Sequence, residues 1–439
     1  MTRRFWFVSL ILLGIIIRLG LWACYEPTIY PDTGTYSDAA KDLVTGTTER
    51  DEGRRTPGYP VIFLVGGFDP NNIWLIQSAL GLGTSALLFY LAFALTGRAA
   101  FAFAAGMAYN LNLSQIFFEA ALLSESTTTF IAVAVAALTV NILHRLRSGG
   151  TALALLPLLG LLGGYLILLR PQFVFLILLL PVLVTYGRFR LQLKAAFQDI
   201  GLVALPTLAM VISWCLWVYV NLGFFTLSTQ TGFALANHST GFVELAADRY
   251  ATIRDIMLRY RAARLEAGLH YSNTVFDALP ELRQVTGLSR PGLAREVQAM
   301  SLDLFAKHPV KYALSVSYAW TGFWAVDNYW QLDKVSPGWL VSPLVATWWL
   351  EHKLLRMVNA AFIVLLASVL VSRAARRRIS WDVECTTIGA MILLSSMVQA
   401  LAEYGGNPRY GVTVQPLTLF LLMLVCYRLF ARGSSVEAK

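Results

Sequence analysis

Long apolar runs recur from one end of the chain to the other, each closed by a short polar or charged patch. The clearest cover residues 5–25, 72–96, 100–118, 120–141, 151–169, 172–187, 199–220, 354–372, 384–402 and 410–430. A helix needs about 20 apolar residues to cross a hydrocarbon core, and several runs reach that length. The pattern predicts an all-α polytopic membrane protein with about 10–12 transmembrane helices. The higher number would come from two further apolar stretches, 310–326 and 339–350, folding as one extra hairpin. Between the runs, 246–266 and Arg290–Lys307 have the composition of amphipathic soluble helices, expected to form a small extracytoplasmic cap. The chain divides accordingly into an amino-terminal membrane module (1–220) holding a first outer loop (26–71), a segment with cap and optional hairpin (221–350), and carboxy-terminal helices with a tail (351–439).

Composition supports the pattern. Hydrophobic residues make up 56% of the chain and charged residues 14%, against about 25% charged in a soluble domain. The formal net charge is +9, but the basic residues flank apolar runs instead of forming a stripe, which excludes a nucleic-acid partner. They fall in every second gap: Arg3 and Arg4; Arg98; His144, Arg145 and Arg147; Arg188, Arg190 and Lys194; Arg373, Arg376, Arg377 and Arg378; Arg428 and Arg432. The positive-inside rule puts these gaps and both termini in the cytoplasm of a multi-pass plasma membrane protein, expected in a bacterial inner membrane. The loop 26–71, the turns at Glu119 and at Arg170-Pro171, the segment 221–350 and the turn 405–409 then face outward. The first run begins with two arginines but has no small-x-small cleavage site, so it reads as a retained helix. The four cysteines have no metal-ligand spacing and suggest no disulfide scaffold.

Polar residues collect at the outer level. Asp32 follows Pro31 just beyond the first run, where it suits the start of a short helix. It is an N-cap on one reading and a functional acid on another. Arg54 and Arg55 precede Thr56-Pro57-Gly58-Tyr59-Pro60, a stiff return to the membrane. Arginines held on the outer face point to an anionic partner, either a bound phosphate or lipid headgroups. Arg18, Arg170 and Arg409, with Tyr410 beside the last, share that level with Glu119, Glu125 and Glu403. Charge inside a membrane is expensive and is a functional candidate by default. Arginines that hold a phosphate beside a carboxylate that takes a proton would explain the set. His238 is a weaker candidate for phosphate binding or acid–base work. The aromatics between Tyr312 and Trp330 form either an interfacial belt or a groove for a sugar or lipid.

These motifs resemble those of the GT-C membrane glycosyltransferases, most of all the protein O-mannosyltransferase and lipid A aminoarabinose transferase group. The resemblance rests on Arg18, Pro31-Asp32 with Tyr36, Arg55-x-Pro57-Gly58-Tyr59-Pro60, and Leu123-Ser124-Glu125. Arg170-Pro171, His308-Pro309 and Asn407-Pro408-Arg409-Tyr410 with Pro416 continue it across nearly the whole chain. It implies a GT-C-like bundle and an inverting transfer of a monosaccharide from a polyprenyl-phosphate donor to a lipid, glycan or protein acceptor, on the extracytoplasmic face. It implies Asp32 as the catalytic carboxylate, with Glu125 as the second acid. It also implies Arg409 as a phosphate ligand, with Arg55 and Arg170 as weaker matches; Tyr59, Glu119, His238 and Tyr410 complete the expected substrate contacts. In much of that family an acid follows the catalytic carboxylate. Here Thr33 follows, which sets the chain apart from close protein O-mannosyltransferases and weakens any metal role in this loop. No cofactor is assigned, and a divalent metal has no ligand motif to indicate it. The alternatives are a lipid or sugar-lipid transporter or flippase, a polyprenyl-diphosphate-dependent polymerase or ligase, and a structural subunit. The absence of an inverted repeat and the clustering of charge at one surface weigh against a transporter.

Overall fold

The computed structural model describes residues 1–188, 193–405 and 407–436. Arg190 and Gly406, and the side chains of Arg188, Lys194, Asn407 and Arg432, lie outside the described residues. Seven described helices are long and apolar enough to cross a membrane. They coincide with seven of the ten apolar runs and make this an all-α polytopic membrane protein. In chain order the elements used below are α1 (Arg3–Cys24), α2 (Pro31–Thr45), α3 (Pro70–Thr96), α4 (Ala99–Asn110), α5 (Leu113–Ala120), α6 (Glu125–Arg147), α7 (Leu155–Leu169) and α8 (Leu176–Arg188). They continue with α9 (Leu193–Leu222), α10 (Gln230–Ser239), α11 (Ala251–Glu266), α12 (Arg290–Lys307), α13 (Pro309–Phe323), α14 (Val341–Val371), α15 (Val383–Ala402) and α16 (Gln415–Val436).

The other three runs differ from expectation. The run 100–118 is two helices, α4 and α5, broken at Leu111-Asn112. The Asn112 side chain accepts the backbone N–H of Gln115 at 3.0 Å and so caps α5. The runs 151–169 and 172–187 form shorter apolar helices, α7 and α8, separated by a 3₁₀ turn at Pro171–Phe173. The optional hairpin does not form. Residues 341–350 are the front of the continuous helix α14, so their hydrophobicity lengthens an existing span. The first outer loop holds the short helix expected at Pro31, and α12 has the expected bounds.

Helix α6 is the most enclosed span and packs on α3, α7 and α8; α9 lies along α7, and α4 along α3. Leu12, Ile16 and Leu19 on α1, Leu178 and Val182 on α8, and Val364 and Leu370 on α14 remain exposed. Such rows are at home against acyl chains, where an apolar surface carries no penalty. At one end of the bundle Arg147 pairs with Glu384 at 2.9 Å and Arg428 with Asp382 at 2.7 Å. This is the end that carries the basic clusters. At the opposite end lie Asp32 and Glu125, at the start of α2 and α6, Arg170 at the close of α7, Arg55 in the loop between α2 and α3, and Arg409 in a short helix, Asn407–Gly411, before α16. Above them α10 to α12 have an apolar core of their own, including Phe233, Met257, Leu282, Leu293, Val297 and Leu304.

Candidate active site

The first outer loop is fixed to the bundle by backbone contacts. Thr28 forms an isolated parallel bridge with Ala121: its N–H donates to the Ala120 carbonyl at 2.9 Å, and its carbonyl accepts from Leu122 N–H at 3.0 Å. Thr33 then receives the Tyr30 N–H at 3.0 Å and donates its hydroxyl to the Leu122 carbonyl at 3.0 Å. These bonds set the first turn of α2 beside the extended stretch that leads into α6. Asp32 is in that turn. Its carboxylate oxygens are bonded to side chains, so the N-cap reading does not describe it.

A second close approach brings in Arg55 and Arg170. The N–H of Gly58 donates to the Leu168 carbonyl at 3.0 Å, and the Tyr165 hydroxyl donates to the Gly58 carbonyl at 2.9 Å. A β-carbon at Gly58 would stand 2.4 Å from the Leu168 oxygen, so only glycine allows the loop this near. Pro171 ends α7 and holds Arg170 in extended backbone, which aims its side chain inward. Upstream, the Asp51 carboxylate accepts the Arg55 N–H at 2.8 Å, and the Asp42 carboxylate accepts the Asp51 N–H at 2.8 Å. Burial pushes the Asp51 carboxyl up to about 6.

The result is an alternating chain of charges: Arg55, Asp32, Arg409, Glu125, Arg170. Arg55 donates to Asp32 Oδ1 at 2.6 Å and Arg409 to Asp32 Oδ2 at 2.5 Å. Arg409 also bonds Glu125 through its Nε, and Arg170 donates to the same Glu125 oxygen at 2.6 Å. Arg55 lies 4.5 Å over the Tyr36 ring and Arg170 4.5 Å over the Tyr410 ring. These faces hold the guanidiniums flat without consuming their donors. Burial works against the charge on Asp32, but the two guanidiniums outweigh it and hold the carboxyl far below the usual carboxylate range.

Asp32, Arg55, Arg170, Arg409 and Tyr410 open onto one cavity of about 390 Å³. Its wall carries four arginines (Arg54 is the fourth) against two carboxylates, Asp32 and Glu403. Leu169, Val174, Leu227 and Val398 make another part of it apolar. The cavity therefore offers an anion-binding end continuous with an oily slot. The loop before α10 roofs it: Ser228 donates to the Arg54 carbonyl at 2.5 Å, and Thr229 N–H donates to the Gly53 carbonyl at 2.9 Å.

Neither a protein-family profile nor a curated protein sequence matches the chain. Among solved structures, it is similar to the crystal structure of ArnT from Cupriavidus metallidurans in the apo state. That similarity has a TM-score of 0.38 and 16% identity, and covers 95% of this chain and 77% of that one.

Not every expected residue reaches the cavity. Glu125 is fully buried behind Arg409 and Arg170 and does not line it. Glu119 sits in a separate buried cluster. It pairs with Arg18 at 2.5 Å and accepts from the Tyr109 hydroxyl at 3.2 Å, while Arg18 also donates to Asn110 at 3.1 Å. Tyr59 is enclosed and donates to Gln77 at 3.0 Å. His238 lies on α10, 2.7 Å from the Ser315 hydroxyl, and burial pushes its imidazole down to about 4. These three do not touch the cavity. Sequence reasoning passed over the polar contacts that hold the arginines. Thr35 receives Arg55 Nε at 2.8 Å, and Ser124 receives Arg170 Nε at 3.2 Å. Adjacency to Asp32 and Glu125 was the available signal. Among the described residues, no three of His, Cys, Asp and Glu gather as a metal-ligand set.

Proposed function

We propose that this protein is an inverting glycosyltransferase that moves a monosaccharide from a polyprenyl-phosphate donor to a lipid, glycan or protein hydroxyl on the extracytoplasmic face of a bacterial plasma membrane. One observation carries the reading: the cavity joins a file of arginines, two of them bound to a carboxylate, to an apolar wall at the membrane end of the bundle. A lipid phosphate needs both features, guanidinium forks for its oxygens and a greasy channel for its tail. The motif resemblance across the chain favours a monophosphate over a diphosphate donor.

Asp32, while bonded to Arg55 and Arg409, is neutralised by them and is a weak proton acceptor. A donor phosphate offers those arginines a second anion. As the guanidiniums turn toward it, Asp32 loses their field and its basicity rises, so the base is activated by the donor it serves. The acceptor oxygen attacks the anomeric carbon from the face opposite the phosphate, and its proton passes to Asp32. The bond between the anomeric carbon and phosphate oxygen breaks with its electron pair going to the phosphate. Arg409 and Arg55 stabilise the charge that develops there. Glu125 holds Arg170 and Arg409 in register from behind.

The test is incubation of purified protein with undecaprenyl-phosphate hexoses and pentoses, with release of undecaprenyl phosphate as the readout. Sugar release or transfer is expected for one donor. Movement of intact sugar-lipid across vesicles with no bond cleavage would instead establish the flippase reading.

A further inference from the structure

The cavity has two carboxylates in its wall, and they stand in opposite electrostatic settings. Asp32 is bonded to two arginines. Glu403 closes α15 in extended backbone and is met by neutral donors, the Gln399 side-chain amide at 3.3 Å and the Tyr410 hydroxyl. Among the described residues no lysine, arginine or histidine pairs with it. The same wall carries Tyr410, Gln399 and Gln172, and a Gln172 oxygen is buried without a partner.

We infer that Glu403 is the specificity-determining carboxylate of this cavity, accepting hydroxyl hydrogens from the ring of the transferred monosaccharide while the arginines hold the phosphate. The inference rests on the glycosyltransferase reading and adds a sugar subsite to it. A carboxylate offers about four lone-pair directions and no donors, so it matches a pair of ring hydroxyls. The two glutamines of the same wall supply both donors and acceptors, as a polyol requires. A site built in this way rejects analogues that lack the matching hydroxyl much more strongly than an apolar pocket does. Burial raises the Glu403 carboxyl and outweighs its two neutral donors and the more distant Arg409, in keeping with a group whose charge a ligand's hydroxyls would help to offset.

The experiment measures binding of two probes to the full-length protein in nanodiscs: undecaprenyl phosphate alone, and the undecaprenyl-phosphate sugar that wild type prefers from a hexose and pentose panel. Glu403→Gln is expected to bind the bare lipid phosphate within about twofold of wild type and the sugar-bearing lipid about tenfold or more weakly. Preference within the sugar panel should flatten, and Glu403→Asp should restore part of the discrimination. Equal weakening toward both probes, or no weakening toward either, overturns the subsite. A wild type that binds neither probe overturns the glycosyltransferase reading instead, so the two failures are distinguishable.

Discussion

Asp32 and Arg409 are 377 residues apart in the chain and 2.5 Å apart in space. The contact closes the bundle: it joins the loop after the first span to the short helix before the last. It also makes the acid dependent on the base. Asp32→Asn keeps the size of the side chain and removes the charge that would take the acceptor proton. Transfer is expected to fall at least about 100-fold, the range of a lost general base, with undecaprenyl phosphate binding retained or tightened because Arg55 and Arg409 are freed. Turnover at the wild-type rate would remove Asp32 from the chemistry. Arg409→Lys should weaken donor binding despite keeping the charge, since a single ammonium cannot reproduce the bonds that the guanidinium directs to Asp32 and Glu125.

The Arg18–Glu119 pair should behave differently. Both side chains are enclosed, and the cluster is closed by Asn110 and Tyr109. Arg18→Met is expected to cost about 3–5 kcal/mol, the range for stranding a buried charge. Adding Glu119→Gln should recover most of it. Thermal unfolding in detergent checks both, and donor affinity of the surviving folded protein should match wild type.

Asp51 gives a pH dependence with a fixed sign. Its folded carboxyl is raised to about 6, above the usual aspartate value of about 4. The folded state therefore binds the extra proton, and stability falls as pH rises from about 4 to 6. Asp51→Asn should gain stability relative to wild type at pH 8, on the order of 2 kcal/mol, and the gain should vanish at pH 4. A difference that is the same at both pH values would contradict this.

Gly58→Ala tests the close approach of the loop to α7. The new methyl meets backbone, the peptide group joining Leu168 to Leu169. A cost of about 1–3 kcal/mol is expected from the overpacking. Donor binding should fall as well, because Arg55 and Arg170 flank the displaced segments. Wild-type lipid phosphate affinity in this variant would show that the arginines tolerate a shift.

The spans were legible because a membrane helix needs only a long apolar run, and seven of the ten runs are that simple. The polar interruption Asn110-Leu111-Asn112-Leu113-Ser114-Gln115 was visible in the run, but that it ends one helix and starts another depends on the bond from Gln115 N–H to the Asn112 side chain, which only the fold reveals. That charged residues from distant segments gather at one end of the bundle was also legible. Partnership was not, because sequence gives a residue's height in the bundle without its bearing around the axis. Arg18 and Glu119 are thus at the expected level yet belong to each other, while Glu125 meets Arg409 and Arg170. The bond from Ser228 to the Arg54 carbonyl lies between segments with no pattern in common, and only the fold reveals it.

The roof over the cavity has its own hydrophobic interior and meets the arginine loop through bonds to main-chain carbonyls, from Ser228 to Arg54 and from Thr229 to Gly53. Because the acceptors are carbonyls, the arginine loop keeps its guanidiniums for the cavity. A change on helices α10 to α12 that leaves Ser228 and Thr229 in place would then reshape the roof while the charged file beneath keeps its spacing.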